Sequence, residues 1–180
     1  MDKLVCLSSQ TISRVVGAVE EVMREAVGLF GDDPEWKGRS GGYFCLADGL
    51  TGTPRLIALI GSIPSGKYIR YFHLVREKIE RLNRDREHIT SWESRNPSTE
   101  QFGGAIRREQ HIFSFSGFPE WGDEMIMLGT IFMMANPIEG EMESLRAIAE
   151  AHGYGGKWQL LLQPLFRSRR ALAALDQLQP

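Results

Sequence analysis

Between Ile12 and Phe30 the apolar residues Ile12, Val15, Val16, Val19, Met23, Ala26, Val27 and Phe30 recur at steps of three and four, with Arg14, Glu20, Glu21, Arg24 and Glu25 between them. At 3.6 residues per turn those positions share one face, so the spacing predicts an amphipathic helix. Ser8 or Ser9 is a cap for its start, and Gly31 followed by Asp32-Asp33-Pro34 is its stop. The polar, glycine-rich stretch to Gly42 predicts a surface loop in which Trp36 covers part of the core. Tyr43 to Ala47 and Arg55 to Ile60 are short apolar runs joined by a turn-rich link, and they read as a pair of antiparallel strands.

Periodicity returns from about Lys67 to Asn83, where Tyr68, Phe72, Val75, Ile79 and Leu82 share a face. Arg76/Glu80 and Glu77/Arg81 are four-residue charge pairs expected to keep the opposite face soluble. Asp85 to Gln101 is polar apart from Ile89 and Trp92, a length that marks functional or flexible loops. A second hairpin follows, with strands Gly104 to Arg107 and His111 to Ser116. Pro119 suits a first helical position, and Glu120, Asp123 and Glu124 put negative charge where the helix dipole favours it.

Met125 to Met134 is apolar all round apart from Gly129 and Thr130, as for a helix buried on every side, within the domain or between subunits. Ile138 to His152 predicts another helix, with Met142, Leu145, Ile148 and Ala149 inward and Gly153 at its end. Trp158 to Leu162 reads as an edge strand. The remainder, with Leu172, Leu175 and Leu178, reads as a short helix docked on the body or on a partner. The expected architecture is one α+β domain over 1–180, with a body to 164 and a tail over 165–180. Its antiparallel sheet of four or five strands carries helices packed on its faces.

Composition changes this picture little. The 180-residue chain is 42% hydrophobic and 24% charged with a net charge of -2, which gives no bulk attraction to nucleic acid or anionic lipid. Neither class of partner is expected. Cys6 and Cys45 stand singly among apolar residues, as buried thiols in a reducing compartment do. Met1 to Gln10 lacks the length and basic start of a signal peptide, and no run reaches the roughly 20 apolar residues of a membrane span, so a cytoplasmic protein is expected.

Candidate chemistry is sparse. Gly61 to Lys67 fits GxxxxGK, but Tyr68 stands where a Mg²⁺-binding hydroxyl belongs and Pro64 removes a backbone donor; a strand-to-helix turn with Lys67 on the surface is the better reading. Four histidines, His73, His88, His111 and His152, lack metal-ligand spacing, and no metal site is expected. Were one to hold a haem or metal, His88 in the long loop or His111 at the hairpin is better placed than His152. The most informative grouping is Arg95, Gly103, Gly104, Arg107, Ser114, Ser116 and Gly117, together with the backbone donors at the start of the Pro119 helix. Glycines admit close approach of a ligand, and arginines beside a helix N-terminus favour an anion such as a carboxylate or haem propionate.

Within this stretch, GGAIRREQHIFSFSGFPEWGDE carries a glycine pair entering a hairpin, Ser-Gly at its exit and an acidic helix start. That pattern, with the layout of Thr11 to Asn136, resembles the GlcG-like, HbpS-type haem-binding family. The resemblance implies a profilin-like fold and haem as a cofactor. The functional expectation is a small-molecule or cofactor-binding, sensor-type protein without catalysis of its own. Its rivals are a small enzyme using the anion edge near Arg95 and Arg107, and a structural scaffold. Trp121, Gly122, Gly129 and the all-apolar helix further predict a homo-oligomer.

Overall fold

The computed structural model describes residues 7–134 and 139–176, with side chains described to 169 and not for 139–141. Expectations that fall on Cys6, Asn136, Ile138 and Leu178, and on the side chains of Leu172 and Leu175, lie outside the described residues. The chain runs α1 (Ser9–Phe30), β1 (Ser40–Asp48), β2 (Pro54–Ser62), α2 (Tyr68–Arg84), β3 (Ala105–Arg108), β4 (His111–Ser116), α3 (Glu120–Met134), α4 (Glu139–Ala151) and α5 (Gly155–Asp176). The strands form one antiparallel sheet in the order β2-β1-β4-β3. Helices pack on both of its faces, so the α+β expectation is met.

Strand alternation separates two cores. Phe44, Leu46, Ile60, Ile106 and Phe115 face a thick core built with α1, α3, α4 and α5, whereas Cys45, Ala47, Ala105 and Ile112 face a thin one under Val75, Ile79 and Leu82 of α2. Burial pushes the Cys45 thiol up to about 12, against the pull of Arg76, so this free thiol is inert at neutral pH. Trp36 is fully buried, as its place in the first loop suggested, and packs on Phe30, Phe118 and Trp121.

Helix α3 lies at the centre of the thick core. Met125, Ile126, Met127, Leu128 and Phe132 are all fully buried within the single chain. Packing that the sequence allowed to be shared between subunits is therefore supplied by α1, α4, α5 and the sheet. Gly129 brings α3 close to α1: a Cβ there would stand 2.5 Å from Val22 Cγ1.

Expectations for two helices, α5 and α2, are corrected. Trp158 to Leu162 is not a strand; it belongs to α5, in which Trp158, Leu161 and Leu165 face the core at steps of three and four. The same helix absorbs the boundary at 164/165, with Pro164 inside it. On α2 the inward face also carries Lys78 and Arg81, both buried, while Tyr68 is exposed. Arg81 does not serve surface solubility. It pairs with Glu77 at 2.8 Å and donates to the carbonyls of Ser91 and Phe102 and to Ser94 Oγ, and so ties the long loop to α2.

The β1–β2 turn is held by Asp48, whose Oδ1 accepts from the N–H groups of Thr51 (2.9 Å) and Leu50 (3.0 Å) and whose Oδ2 pairs with Arg55. The Thr51 N–H, then Arg55, hold this carboxyl well below the usual range. The unfolded chain takes up the proton first, so the stabilisation is complete above about pH 4, the ordinary carboxylate value, and is lost as pH falls below it. Asp48→Asn is expected to cost on the order of 1 kcal/mol at neutral pH and to flatten that part of the acid dependence, as read from urea titrations at neutral and acid pH. Gly129→Val is expected to destabilise by roughly 1–3 kcal/mol through overpacking, outweighing the fraction of a kcal/mol it gains in helix propensity. An unchanged urea midpoint would contradict the close α1–α3 approach.

Candidate functional site

At one end of the sheet the chain leaves a cleft of about 500 Å³. Its walls come from five separate stretches: the loop after α1 (Glu35, Lys37, Arg39), the β2–α2 link and first turns of α2 (Lys67, Arg70, Tyr71), Trp92 and Phe102 of the long loop, Ser116 at the end of β4, and the entry to α3 (Phe118 to Trp121).

Lys78 and Asp123 form its floor. The ammonium lies 2.8 Å from Asp123 Oδ2 and donates to the Phe115 carbonyl at 2.7 Å, with the side chains 1% and 4% exposed. Asp123 Oδ1 accepts from the N–H groups of Gly117 (3.0 Å) and Phe118 (2.8 Å), so one carboxylate fixes the β4–α3 turn and neutralises a buried lysine. Burial pushes the Asp123 carboxyl up, while Lys78 and the two backbone donors pull the other way. Gly104, at φ +115°, makes the pair possible: a Cβ there would stand 2.6 Å from Asp123 Cβ and 2.7 Å from Lys78 Nζ.

Beside the cleft, Glu120 receives Arg95 at 2.6 Å on one oxygen and the Gly103 N–H at 3.2 Å on the other. Arg95 also lies over the Trp92 ring, 4.4 Å from its centroid. Trp92 stacks on His152 with centroids 5.0 Å apart and planes 9° from parallel. His152 Nδ1 and the Tyr154 hydroxyl both reach Glu124 Oε2, at 2.7 and 2.8 Å, and Glu124 is fully buried. Burial, reinforced by Glu124, pushes the Tyr154 hydroxyl well up. This buried chain of polar groups sets the attitude of the cleft's Trp92 wall.

Among the residues singled out from sequence, Gly103, Gly104, Ser116, Gly117 and Arg95 gather at this end. Ser116 lines the cleft, Gly103 packs on Trp92, and Gly104 and Gly117 sit against the Lys78–Asp123 pair. The rest do not join them. Arg107 points to the opposite end of β3, where it donates to the carbonyls of Gly49 and Leu82. Ser114 is buried under α2 and donates to the Val75 carbonyl at 2.9 Å. His111 pairs with Asp48 and Arg108 at the far ends of β1 and β3, and His88 stands 3.9 Å from Asp85. Neither histidine lines the cleft. Gly61 and Ser62 of the GxxxxGK match are paired in the sheet with Gly41 and Ser40, and Ile63 is buried, so the segment is a strand-to-helix turn and not a phosphate cradle.

Sequence reading passed over Lys37, Arg39, Lys78 and Trp92 as site residues. Lys78 gave a signal: it falls between Val75 and Ile79 on the apolar side of α2. The polarity of the cleft then follows from its pairing. Lys37, Arg39, Lys67, Arg70 and Lys78 are set against Glu35, Glu120 and Asp123. Asp123 is taken by Lys78 and Glu120 by Arg95, while Glu35 accepts from Trp121 Nε1 at 2.7 Å and, among the described residues, has no cationic partner. Arg70 meets Glu100 at an exposed site, a weak pairing, and Arg39 bonds only the neutral Gly117 carbonyl. Among the described residues Lys37 and Lys67 have no acidic partner, and Lys67 is the N-cap of α2, which has no side-chain cap and no acid in its first turn. An excess of positive charge therefore lines one cleft, beside the start of α2.

Lys78→Met is expected to cost about 3–5 kcal/mol, because it strands a buried carboxylate. Lys78→Met combined with Asp123→Leu should recover part of that loss but not all, since the Gly117 and Phe118 N–H groups then lose their acceptor. A double-mutant cycle by urea unfolding measures it, and additive losses would contradict a coupled pair. In comparison with known proteins, no family model, no curated protein and no solved structure matches this chain.

Proposed function

We propose that the protein binds a small molecule bearing an anionic group and a flat apolar body in the cleft between the starts of α2 and α3. The observation that carries this reading is the imbalance within the cleft: among the described residues Asp123 and Glu120 are neutralised by Lys78 and Arg95, leaving Glu35, which accepts from the Trp121 indole, against Lys37 and Lys67, which have no acidic partner, beside the uncapped first turn of α2. Trp92, Phe102, Phe118, Tyr71 and Trp121 supply apolar and aromatic surface for the rest of the ligand. A preformed cleft floored by a buried ion pair suits a binding or sensing role, since its shape is fixed before the ligand arrives. Haem has the same general chemistry, anionic propionates on a flat ring. On this reading it would meet the lysines and aromatics of the cleft, with His88 and His111 elsewhere.

Trp92 and Trp121 in the walls provide the readout. Titration with 8-anilinonaphthalene-1-sulfonate, an aromatic sulfonate, is expected to quench tryptophan fluorescence with saturation. Lys37→Glu combined with Lys67→Glu should weaken it by tenfold or more, a loss of at least about 1.4 kcal/mol. Binding that ignores the double charge reversal, or no saturable binding of this probe or of haemin, would sink the proposal.

A further inference from the structure

The inner wall of the cleft carries two hydroxyls that the protein itself leaves unbonded. Strand alternation puts Ser114 and Ser116 on the side of the sheet that α2 covers, and Ser114 Oγ donates there to the Val75 carbonyl at 2.9 Å. Ser116 lies two residues on, opposite Tyr43 of β1, and Tyr43 packs on Phe72 with ring centroids 5.5 Å apart. Ser116 is therefore level with the turn of α2 that holds Tyr71, and both residues line the cleft. They are 2% and 8% exposed. Among the described residues neither hydroxyl has a hydrogen-bond partner, yet neither oxygen is sealed from solvent, so the little surface these side chains keep includes the hydroxyls and opens on the cleft. Buried hydroxyls are ordinarily paired within the protein. Two that share one cleft and have no internal partner mark a place for an outside group.

Their surroundings are rich in donors. Lys78 gives two of its three N–H groups to Asp123 and the Phe115 carbonyl, and Arg39 gives one of its five to the Gly117 carbonyl at 3.1 Å. The acceptor beside them is engaged: Asp123 Oδ1 receives the Gly117 and Phe118 N–H groups, and Oδ2 receives Lys78. What the wall lacks is an acceptor.

We propose that this wall holds a carbonyl oxygen, so that the ligand is an aromatic acid with a carbonyl group at the end of its ring system remote from the acid. The assignment rests on the anion-binding reading of the cleft. The acid group stays with Lys37 and Lys67, the ring lies against Trp92 and Phe118, and the two lone pairs of the carbonyl oxygen accept from the Ser116 and Tyr71 hydroxyls. Lys67 precedes Tyr71 by four residues, about 6 Å along the helix, which separates the two polar groups on the scale of one aromatic ring system. A hydrocarbon in place of the carbonyl would displace water from both hydroxyls and return no hydrogen bond. A site built to bond an oxygen discriminates strongly against the analogue that lacks it.

Tryptophan-fluorescence titration with 6-acetyl-2-naphthoate and with 6-isopropenyl-2-naphthoate, which has a methylene in place of the carbonyl oxygen, tests this directly. The ketone is expected to bind the wild-type chain more tightly by roughly tenfold or more. Ser116→Ala combined with Tyr71→Phe should abolish that preference and leave the affinity for the isopropenyl acid within about twofold, which also shows that the variant keeps its cleft. If the double variant does not fold, Ser116→Ala alone should lower the preference by about threefold or more, and an unchanged preference there overturns the proposal. Equal affinity of the wild type for the two acids, or a preference that survives the double substitution, overturns the carbonyl assignment and leaves the anion-binding reading standing. Saturable binding of neither acid overturns both.

Discussion

A lysine on one face of the sheet reaches an aspartate on the other, and most of the molecule is arranged around that contact. Lys78 belongs to α2 and Asp123 to α3, which pack on opposite faces. Their 2.8 Å pair passes the strand entrance where Gly104 has no side chain to block it. Such a pair costs several kcal/mol in lost hydration, which mutual attraction alone does not reliably repay. Here additional partners are present: the Phe115 carbonyl on the ammonium, and the Gly117 and Phe118 N–H groups on the carboxylate. The contact therefore adds specificity. It allows one register of α2 against the β4–α3 turn and makes the floor of the cleft rigid.

Arg81, one turn beyond Lys78, does the same for the long loop. A guanidinium has five donors in a fixed fork, and Arg81 uses them on Glu77, Ser94 and the carbonyls of Ser91 and Phe102. The fixed loop can then do two jobs at once: its Ile89 to Ser91 backbone closes the β3 edge, and its Trp92 forms a cleft wall backed by His152. The length that marked this loop as unusual in the sequence is spent on closing an edge and supporting the cleft. Among the described residues the opposite edge, along β2, has no equivalent.

Much of the fold was legible because it rests on local periodicity. α1, both hairpins and α3 fall close to where the spacing of apolar residues, glycines and prolines put them. The failure at Trp158 to Leu162 has a physical cause: WQLLL is a short apolar run whose helix and strand readings differ only in which neighbours are buried. Leu160, exposed at 53% between buried Trp158 and Leu161, decides for the helix. The site was half legible. Gly103 and Gly104 enter the second hairpin and Ser116 and Gly117 leave it, so its pairing groups them, but Arg95 and Arg107, before and after the glycine pair, end at opposite ends of β3.

By itself the sequence determined the α+β class, the inward faces of the helices and the buried character of α3, because those depend on interactions within a few residues or one turn. Tertiary structure alone decided that α3 is covered within one chain, that Lys78 and Arg81 are buried anchors, and that Lys37, Lys67 and Trp92 share a cleft. These residues lie tens of positions apart, and whether a charge is paired or free, or an apolar face covered or open, is settled only by what other elements bring beside it.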